Sequence, residues 1–419
     1  MAYRFLRWSE RYTKTDMVYL ARGSFWNYAN FIVTNIFAFA LSVAFAKLLP
    51  KDVYGTYQFL LSIGSILSAF TLSGMNNAII QAVARGFEGT VRKSIPIQLG
   101  YNLLSLLASV GVALYYFHAG NAPIALGVLL IGLLIPISSA FNTYTALISG
   151  RKDFKGGFVV GVILTVIYYT VMIVSLFFVR NAVVLVLLNF GINAAVTVGL
   201  YFWTIRRYQP NNDIDPTTMS YGKHLSLASV IGIIAGQLDN ILVFHILGTV
   251  PLAIYAFAST IPERLNSLLK NVTLMAFPKL SERSGKEIKA TMVGKSVRLA
   301  ALSLVVSLAY IVLAPYVFGV FFPKYLDAME YSKYYALALV FMALPSMPLT
   351  ALTALQAKKE IYAYNIANPV VSIACMVVLT ARYGILGLIA AKALSGFVNY
   401  LISLYLIHRT RHIMPTTNI

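Results

Sequence analysis

Runs of about twenty apolar residues recur along the whole 419-residue chain, parted only by short polar or basic stretches, and few folds can absorb them. At 1.5 Å per residue, a helix of about that length crosses a hydrocarbon core of roughly 30 Å. The runs fall near 24–48, 56–80, 95–117, 123–149, 158–179, 182–204, 225–247, 252–278, 299–320, 330–356, 361–380 and 384–407. This spacing predicts about twelve transmembrane helices and an all-α integral membrane protein, because backbone polar groups in lipid must be bonded within their own segment. Hydrophobic residues make up 59% of the chain and charged ones 11%. Set against about 25% charged residues in soluble domains, this excludes a soluble globule.

The basic residues orient the spans, since Lys and Arg beside a span are retained on the cytoplasmic side. With both termini inside, 24 of the 33 Lys and Arg lie in the cytoplasmic segments and only Lys47, Lys51, Arg180, Lys324, Lys333 and Arg382 on the outer side. A cytoplasmic (inner) membrane protein with both ends cytoplasmic is expected. The net charge of +19 then mainly records topology, although it also favours anionic membrane lipids. Nucleic acid is not an expected partner, because the excess is spread over alternate loops.

The start of the chain carries no apolar core of a cleavable signal. Phe5, Trp8 and Tyr12 fall on one helical face beside Arg4, Arg7, Arg11 and Lys14, as in an interfacial helix; the plainer reading is a basic tail. The single cysteine, Cys375, sits in an apolar run and says nothing of redox compartment.

Two echoes point to a duplicated six-span unit. Leu49, Tyr57, Phe59 and Ile63 return 198 positions later as Leu247, Tyr255, Phe257 and Ile261. Arg151-Lys152-Asp153-Phe154 after span four resembles Lys358-Lys359-Glu360-Ile361 after span ten, at a spacing of 207. The polar stretch around Pro210 and Pro216 reads as the seam. The expected organisation is an N-terminal lobe over 1–204, a cytoplasmic linker over 205–224 and a C-terminal lobe over 225–419.

Enzyme signatures are missing from the sequence. Gly294-Lys295-Ser296 imitates the end of a phosphate-binding loop, but Lys289 stands where its first glycine is required. His118, His224, His245, His408 and His412 show no metal-ligand spacing beyond a terminal pair, so neither a metal nor another cofactor is expected. A membrane-embedded enzyme of glycan assembly would want carboxylates on a sizeable outer loop, and the outer loops hold only Asp52, Asp327 and Glu330.

Ionisable side chains inside spans cost several kcal/mol and mark functional sites by default. Asp239 in span seven, Glu263, Arg264 and Lys270 in span eight, and Lys392 in span twelve are the candidates. Glu263 lies about 18 Å below Pro251, near the midplane. Asp239 and Glu263 are the candidates for coupling to an ion; pairing of either with Arg264 is the structural alternative. Arg264, Lys270 and Lys392 are candidate substrate contacts in a cavity, as is Arg22 at the inner end of span one, which a topology marker would explain equally. Lys270 could instead snorkel to the interface. Amide stripes run through span one (Asn27, Asn30), span six (Asn189, Asn193) and span eleven (Asn365, Asn368); they either bond helix to helix or line a wet cavity.

Ala46-Lys47-Leu48-Leu49-Pro50-Lys51-Asp52-Val53-Tyr54-Gly55-Thr56-Tyr57, Leu238-Asp239-Asn240 with Leu247-Gly248 and Tyr255-Ala256, and Pro278 at the end of span eight resemble the polysaccharide transporters, or Wzx-type flippases. Their larger superfamily includes multidrug exporters and the lipid II flippase, and the likeness covers essentially the whole chain. It implies a V-shaped MATE-like exporter fold of two six-helix lobes around a basic, hydrophilic cavity. It also implies a flippase that moves undecaprenyl-pyrophosphate-linked oligosaccharide, an O-antigen, capsule or exopolysaccharide repeat unit, to the outer leaflet. Alternating access driven by a proton or sodium gradient would power it, alongside polymerase and chain-length proteins of the same pathway. The alternatives left open are a multidrug-type cation-coupled exporter and the embedded enzyme.

Overall fold

The computed structural model describes the backbone of residues 17–281 and 285–410, and the side chains of residues 23–270, 273, 280, 285 and 287–410. The interfacial helix expected over residues 3–14, the side chain of Arg22 and His412 lie outside these. Every regular element among the described residues is helical. The first stretch of chain forms α1 (Met17–Leu48), α2 (Lys51–Ser68), α3 (Met75–Ala84), α4 (Gly89–His118), α5 (Ala122–Phe141), α6 (Tyr144–Gly150), α7 (Phe154–Ser175), α8 (Ala182–Tyr208) and α9 (Thr218–Ala235). The second forms α10 (Leu238–Leu247), α11 (Thr249–Ser281), α12 (Gly285–Phe321), α13 (Leu326–Ala343), α14 (Ser346–Ala354) and α15 (Lys358–Arg409).

Among the described residues, nine helical stretches are long and apolar enough to cross a bilayer. The last of them, Lys358–Arg409, has 52 residues, about 78 Å of helix and too much for one crossing. It bends at Gly384, whose φ of 60° and ψ of −139° lie where a side chain is not tolerated, so it crosses twice. Two predicted spans fall outside the nine for visible reasons. The second is broken into α2 and α3 at residues 69–74, and the eighth, α11, carries Glu263, Arg264 and Lys270. With these, the molecule has the twelve crossings that the sequence spacing predicts.

The chain divides into two compact units, Met1–Gln237 and Leu238–Ile419. The boundary falls inside span seven, at the turn Gly236–Gln237 between α9 and α10, and not within 205–224. That stretch was expected to part the lobes because it is polar. Its polar groups are instead consumed by the first unit. Arg151 meets Glu88 through two hydrogen bonds of 2.6 Å, and Glu88 also accepts the Asn211 backbone N–H. The Asp215 backbone N–H bonds Thr90 and its carboxylate pairs with Arg85. At Gly89 a Cβ would lie 2.5 Å from the Asn212 carbonyl carbon, so the strap lies directly on the start of α4.

Within the first unit α4 packs on α5, α5 on α8 and α1 on α7; in the second, α13 packs on α11, α12 and α15. Both halves of the first echo open a helix. Tyr54 N–H bonds Pro50 O, and Leu252 N–H bonds Gly248 O, at the 198 spacing of the first echo. The second echo shifts register. Lys152 and Gln356 both take positive φ, 60° and 52°. Asp153 N–H bonds Ile148 O as Ala357 N–H bonds Leu352 O. The turns therefore correspond at 204, not 207, because the sequence match followed charged side chains whereas the fold preserves the turn's backbone.

Candidate functional site

Each unit holds a polar centre within its apolar walls. In the second unit the helix break at Gly236–Gln237 starts α10 afresh, which puts Asp239 in a helix first turn, where the dipole favours an anion. The backbone N–H of Asn240 donates to its Oδ1 at 2.8 Å and the Tyr255 hydroxyl, from α11, to its Oδ2 at 2.8 Å. Lys392, from the half of α15 beyond Gly384, places Nζ 2.7 Å from the same Oδ2.

Lys392 is shared. Its Nζ also donates to the Tyr335 hydroxyl of α13 at 2.8 Å and lies 3.7 Å from Glu263 Oε1. Tyr335 in turn donates to Glu263, and Asn266 Nδ2 reaches Glu263 Oε2 at 3.4 Å. The ammonium also approaches the rings of Tyr255 and Tyr335, 5.8 and 5.2 Å from their centroids. Lys392 and Asp239 keep only 12% and 14% of their side-chain surface exposed, whereas Glu263 keeps 42%. One cation thus holds two carboxylates whose access to water differs. A charge-assisted pair so enclosed is stable only while complete, since removing one partner leaves an uncompensated charge.

The polar centre of the first unit is neutral. Tyr57, the repeat counterpart of Tyr255, donates to Asn189 Oδ1 at 2.9 Å, and Tyr168 of α7 donates to the same oxygen. Asn189 sits 203 positions before Lys392, close to the spacings of the two echoes.

A cavity adjoins each centre. That of the first unit has a volume of about 730 Å³ and includes Gln98, Asn142, Tyr168, Asn189, Phe190 and Asn193 in its lining. That of the second, about 370 Å³, is lined by Lys270, Asn365, Asn368, Lys392, Ser395 and Asn399 among others. Asn399 Nδ2 donates to Asn368 Oδ1 at 2.6 Å and Ser372 Oγ to the same atom at 3.2 Å.

Of the residues singled out from sequence, Asp239, Glu263 and Lys392 form one centre, and Lys270 and Lys392 share a cavity wall. Lys392 fills the role beside Asp239 that the sequence had offered to Arg264. Arg264 is half-buried on α11 and lines neither of these cavities. Asn27 is exposed, and Asn30 lies against α7, where a Cβ on Gly161 would come within 2.7 Å of its Oδ1. The next polar residue of that stripe, Thr34, bonds Thr165 of α7 at 3.3 Å, so span one spends its stripe on a helix contact. The stripes of spans six and eleven line the cavities. Tyr335 and Tyr168 escaped the sequence reading, since a tyrosine in a span resembles an interfacial anchor. Among the described residues no group of His, Cys, Asp and Glu could hold a metal ion.

Many apolar helices in two compact units, each with a polar centre among its helices, define an all-helical, multi-pass membrane protein. The chain resembles a structure of the lipid II flippase MurJ in an inward closed conformation, at 13% identity over 91% of this chain and 87% of that one with a TM-score of 0.65. It is as similar to an inward-facing multidrug resistance MATE family transporter of the MOP superfamily, at 13% identity over 90% and 94% with a TM-score of 0.65. A MOP superfamily transporter from Pyrococcus furiosus follows at 13% identity over 94% and 96%, TM-score 0.55. At such identities the likeness establishes the fold. No curated protein sequence matches the chain. The family model described as polysaccharide biosynthesis protein matches residues 44–322, and the chain belongs to that family.

Proposed function

We propose that this protein is a flippase that carries an undecaprenyl-pyrophosphate-linked oligosaccharide from the cytoplasmic to the outer leaflet of the cytoplasmic membrane. Membership of a polysaccharide biosynthesis family supports a glycan cargo, and the fold it shares with a lipid II flippase and with MATE transporters supports translocation by alternating access. The observation that carries the reading is the difference between the two cavities. One offers hydrogen-bonding neutral groups, and the other offers Lys270 and Lys392 for a phosphate. On this reading both termini are cytoplasmic, the chain works as two lobes of six spans, and Arg22 and Arg264 are further candidates for the pyrophosphate. Asn27 and Asn30 are the least supported contacts.

Coupling follows from the sharing of Lys392. A pyrophosphate that approaches Lys392 competes with Asp239 and Glu263 for one ammonium. The glycan draws on Lys392 in the outward step and a proton or a sodium ion draws on Asp239 or Glu263 in the return step, the exchange by which an inward cation gradient drives a cargo outward. A drug exporter for cations would instead leave its acids open to the cargo, and here Asp239 is held by Lys392 and Tyr255.

The test is flipping in reconstituted vesicles. A fluorescent prenyl-pyrophosphate oligosaccharide placed in the inner leaflet should become accessible to an added glycosidase only where the protein is present. Equal accessibility in protein-free vesicles, or export of cationic dyes in place of the glycolipid, would overturn the proposal.

A further inference from the structure

We infer that the cavity of the first unit is a subsite for uncharged sugars, so that the glycan this chain handles is built of neutral residues where it meets the protein. The inference rests on the flippase reading above and names the class of its cargo. The lining of this cavity comprises the five amides Asn76, Gln98, Asn142, Asn189 and Asn193, seven serine or threonine hydroxyls and one phenol. It contains no Asp, Glu, Lys, Arg or His among the described residues. In a chain with 33 Lys and Arg this is a selective absence, and the cavity of the second unit, half as large, holds two lysines.

The chemistry of such a wall suits sugar hydroxyls, each of which both donates and accepts. An amide presents a carbonyl acceptor and an NH2 donor side by side and can meet two neighbouring hydroxyls at once. Much of this capacity is open. Asn142 and Asn193 give no side-chain hydrogen bond to another described residue, and the buried Oδ1 of Asn76 has no partner among them. Asn189 and Asn193 stand one helical turn apart on α8, so both face the same space. Tyr168 and Phe190 add aromatic faces for the C–H side of a sugar ring. At about 730 Å³ the cavity falls in the range of roughly 300–1,000 Å³ typical of ligand sites.

The same wall discriminates against acidic sugars. A uronic-acid carboxylate entering it would give up its hydration shell without gaining a cation, and an unpaired charge pays far more for that exchange than a hydroxyl, which is fully replaced by amide hydrogen bonds.

The experiment uses the full chain in lipid nanodiscs and three soluble probes: a neutral hexose trisaccharide, the same trisaccharide with one hexose replaced by its uronic acid, and a short-chain prenyl pyrophosphate without sugar. The neutral trisaccharide should bind at least tenfold more tightly than the acidic one. Joint replacement of Asn142→Ala and Asn193→Ala should weaken neutral binding by about tenfold, or ~1.4 kcal/mol, and leave prenyl pyrophosphate binding within twofold. Because a truncated wall can also disturb packing, Asn193→Lys serves as a second variant and should turn the preference towards the acidic trisaccharide. Equal or tighter binding of the acidic sugar to the wild-type chain would overturn the inference. So would a double variant that binds the neutral sugar normally, or no binding of that sugar at millimolar concentration. Failure of prenyl pyrophosphate to bind would speak against the flippase reading, whereas the preference between the two trisaccharides stands independently of it.

Discussion

The two units each build a polar centre around a buried tyrosine and fill that centre with different chemistry. Tyr57 and Tyr255 match in the sequence echo and are both buried, yet Tyr57 donates to an amide and Tyr255 to a carboxylate that a lysine also holds. Where the first unit has Asn189, the second has Lys392 with Asp239 and Glu263 around it. Each tyrosine packs and orients; what it orients decides whether the centre can change its charge. A paired scaffold can thus keep one half as a neutral, hydrogen-bonding wall and use the other for groups that respond to ions, and the five candidates Asp239, Glu263, Arg264, Lys270 and Lys392 all lie in the second unit.

The sharpest way to break the comparison is to remove the shared ammonium. Lys392→Ala leaves Asp239 and Glu263 without their cation and should destabilise the protein in detergent by about 3–5 kcal/mol. Adding Asp239→Asn to that variant should recover much of the loss without restoring transport. Recovery of transport would mean that the pair serves only to hold helices together.

The neutral centre should be less sensitive. Asn189→Leu strands the hydroxyls of Tyr57 and Tyr168 and is expected to cost about 1–3 kcal/mol in the same unfolding measurement. A loss as large as that for Lys392→Ala would erase the distinction between the lobes.

The phenols provide a finer comparison. Tyr335→Phe removes bonds to two charged groups, typically worth about 1.5–3 kcal/mol each, whereas Tyr168→Phe removes one neutral bond of about 0.5–1.5 kcal/mol. The Tyr335 variant should therefore be the less stable, and the reverse order would contradict the assignment of Glu263 and Lys392 as its partners.

The smallest expected effect lies outside the membrane, at the strap of residues 209–217. Hydrogen bonds from Thr217 and Thr218, with the nearby Arg85 guanidinium, hold the Asp215 carboxyl down at about 2. The Arg151 hydrogen bonds hold that of Glu88 below its usual value. Carboxyls depressed in the folded state stabilise it fully above their ordinary range of about 4 and lose that contribution as pH falls towards 2. Protection of the strap amides against hydrogen exchange, taken relative to their intrinsic rates, should hold from pH 7 to 5 and fall below pH 4, and a strap already unprotected at pH 6 is not held by these groups.

Twelve crossings were legible because hydrocarbon thickness imposes the length and hydropathy of each run. Asp239, Glu263 and Lys392 were individually legible because charge in a span is costly wherever it faces. Their association was not, since Asp239 and Lys392 are 153 positions apart and only the packing of α10 on α15 brings them together. Periodicity places Asn27 and Asn30 on a face but does not reveal that the face meets α7. The serine-rich wall of the first cavity was silent for another reason. In a helix such hydroxyls satisfy themselves on their own carbonyls, as Ser62, Ser65 and Ser68 do, so the sequence gives no sign of which ones also face a cavity.

The most direct test of the account is the response of flipping to an imposed gradient. Vesicles with wild-type protein should translocate the prenyl-pyrophosphate oligosaccharide faster under a proton or a sodium gradient than without one. Asp239→Asn and Glu263→Gln proteins, shown to be folded, should retain at most slow downhill equilibration that ignores both gradients. If both variants flip at the wild-type rate with an unchanged response to proton and sodium gradients, the charged centre of the second unit is a structural lock, and the division of labour between the lobes is wrong.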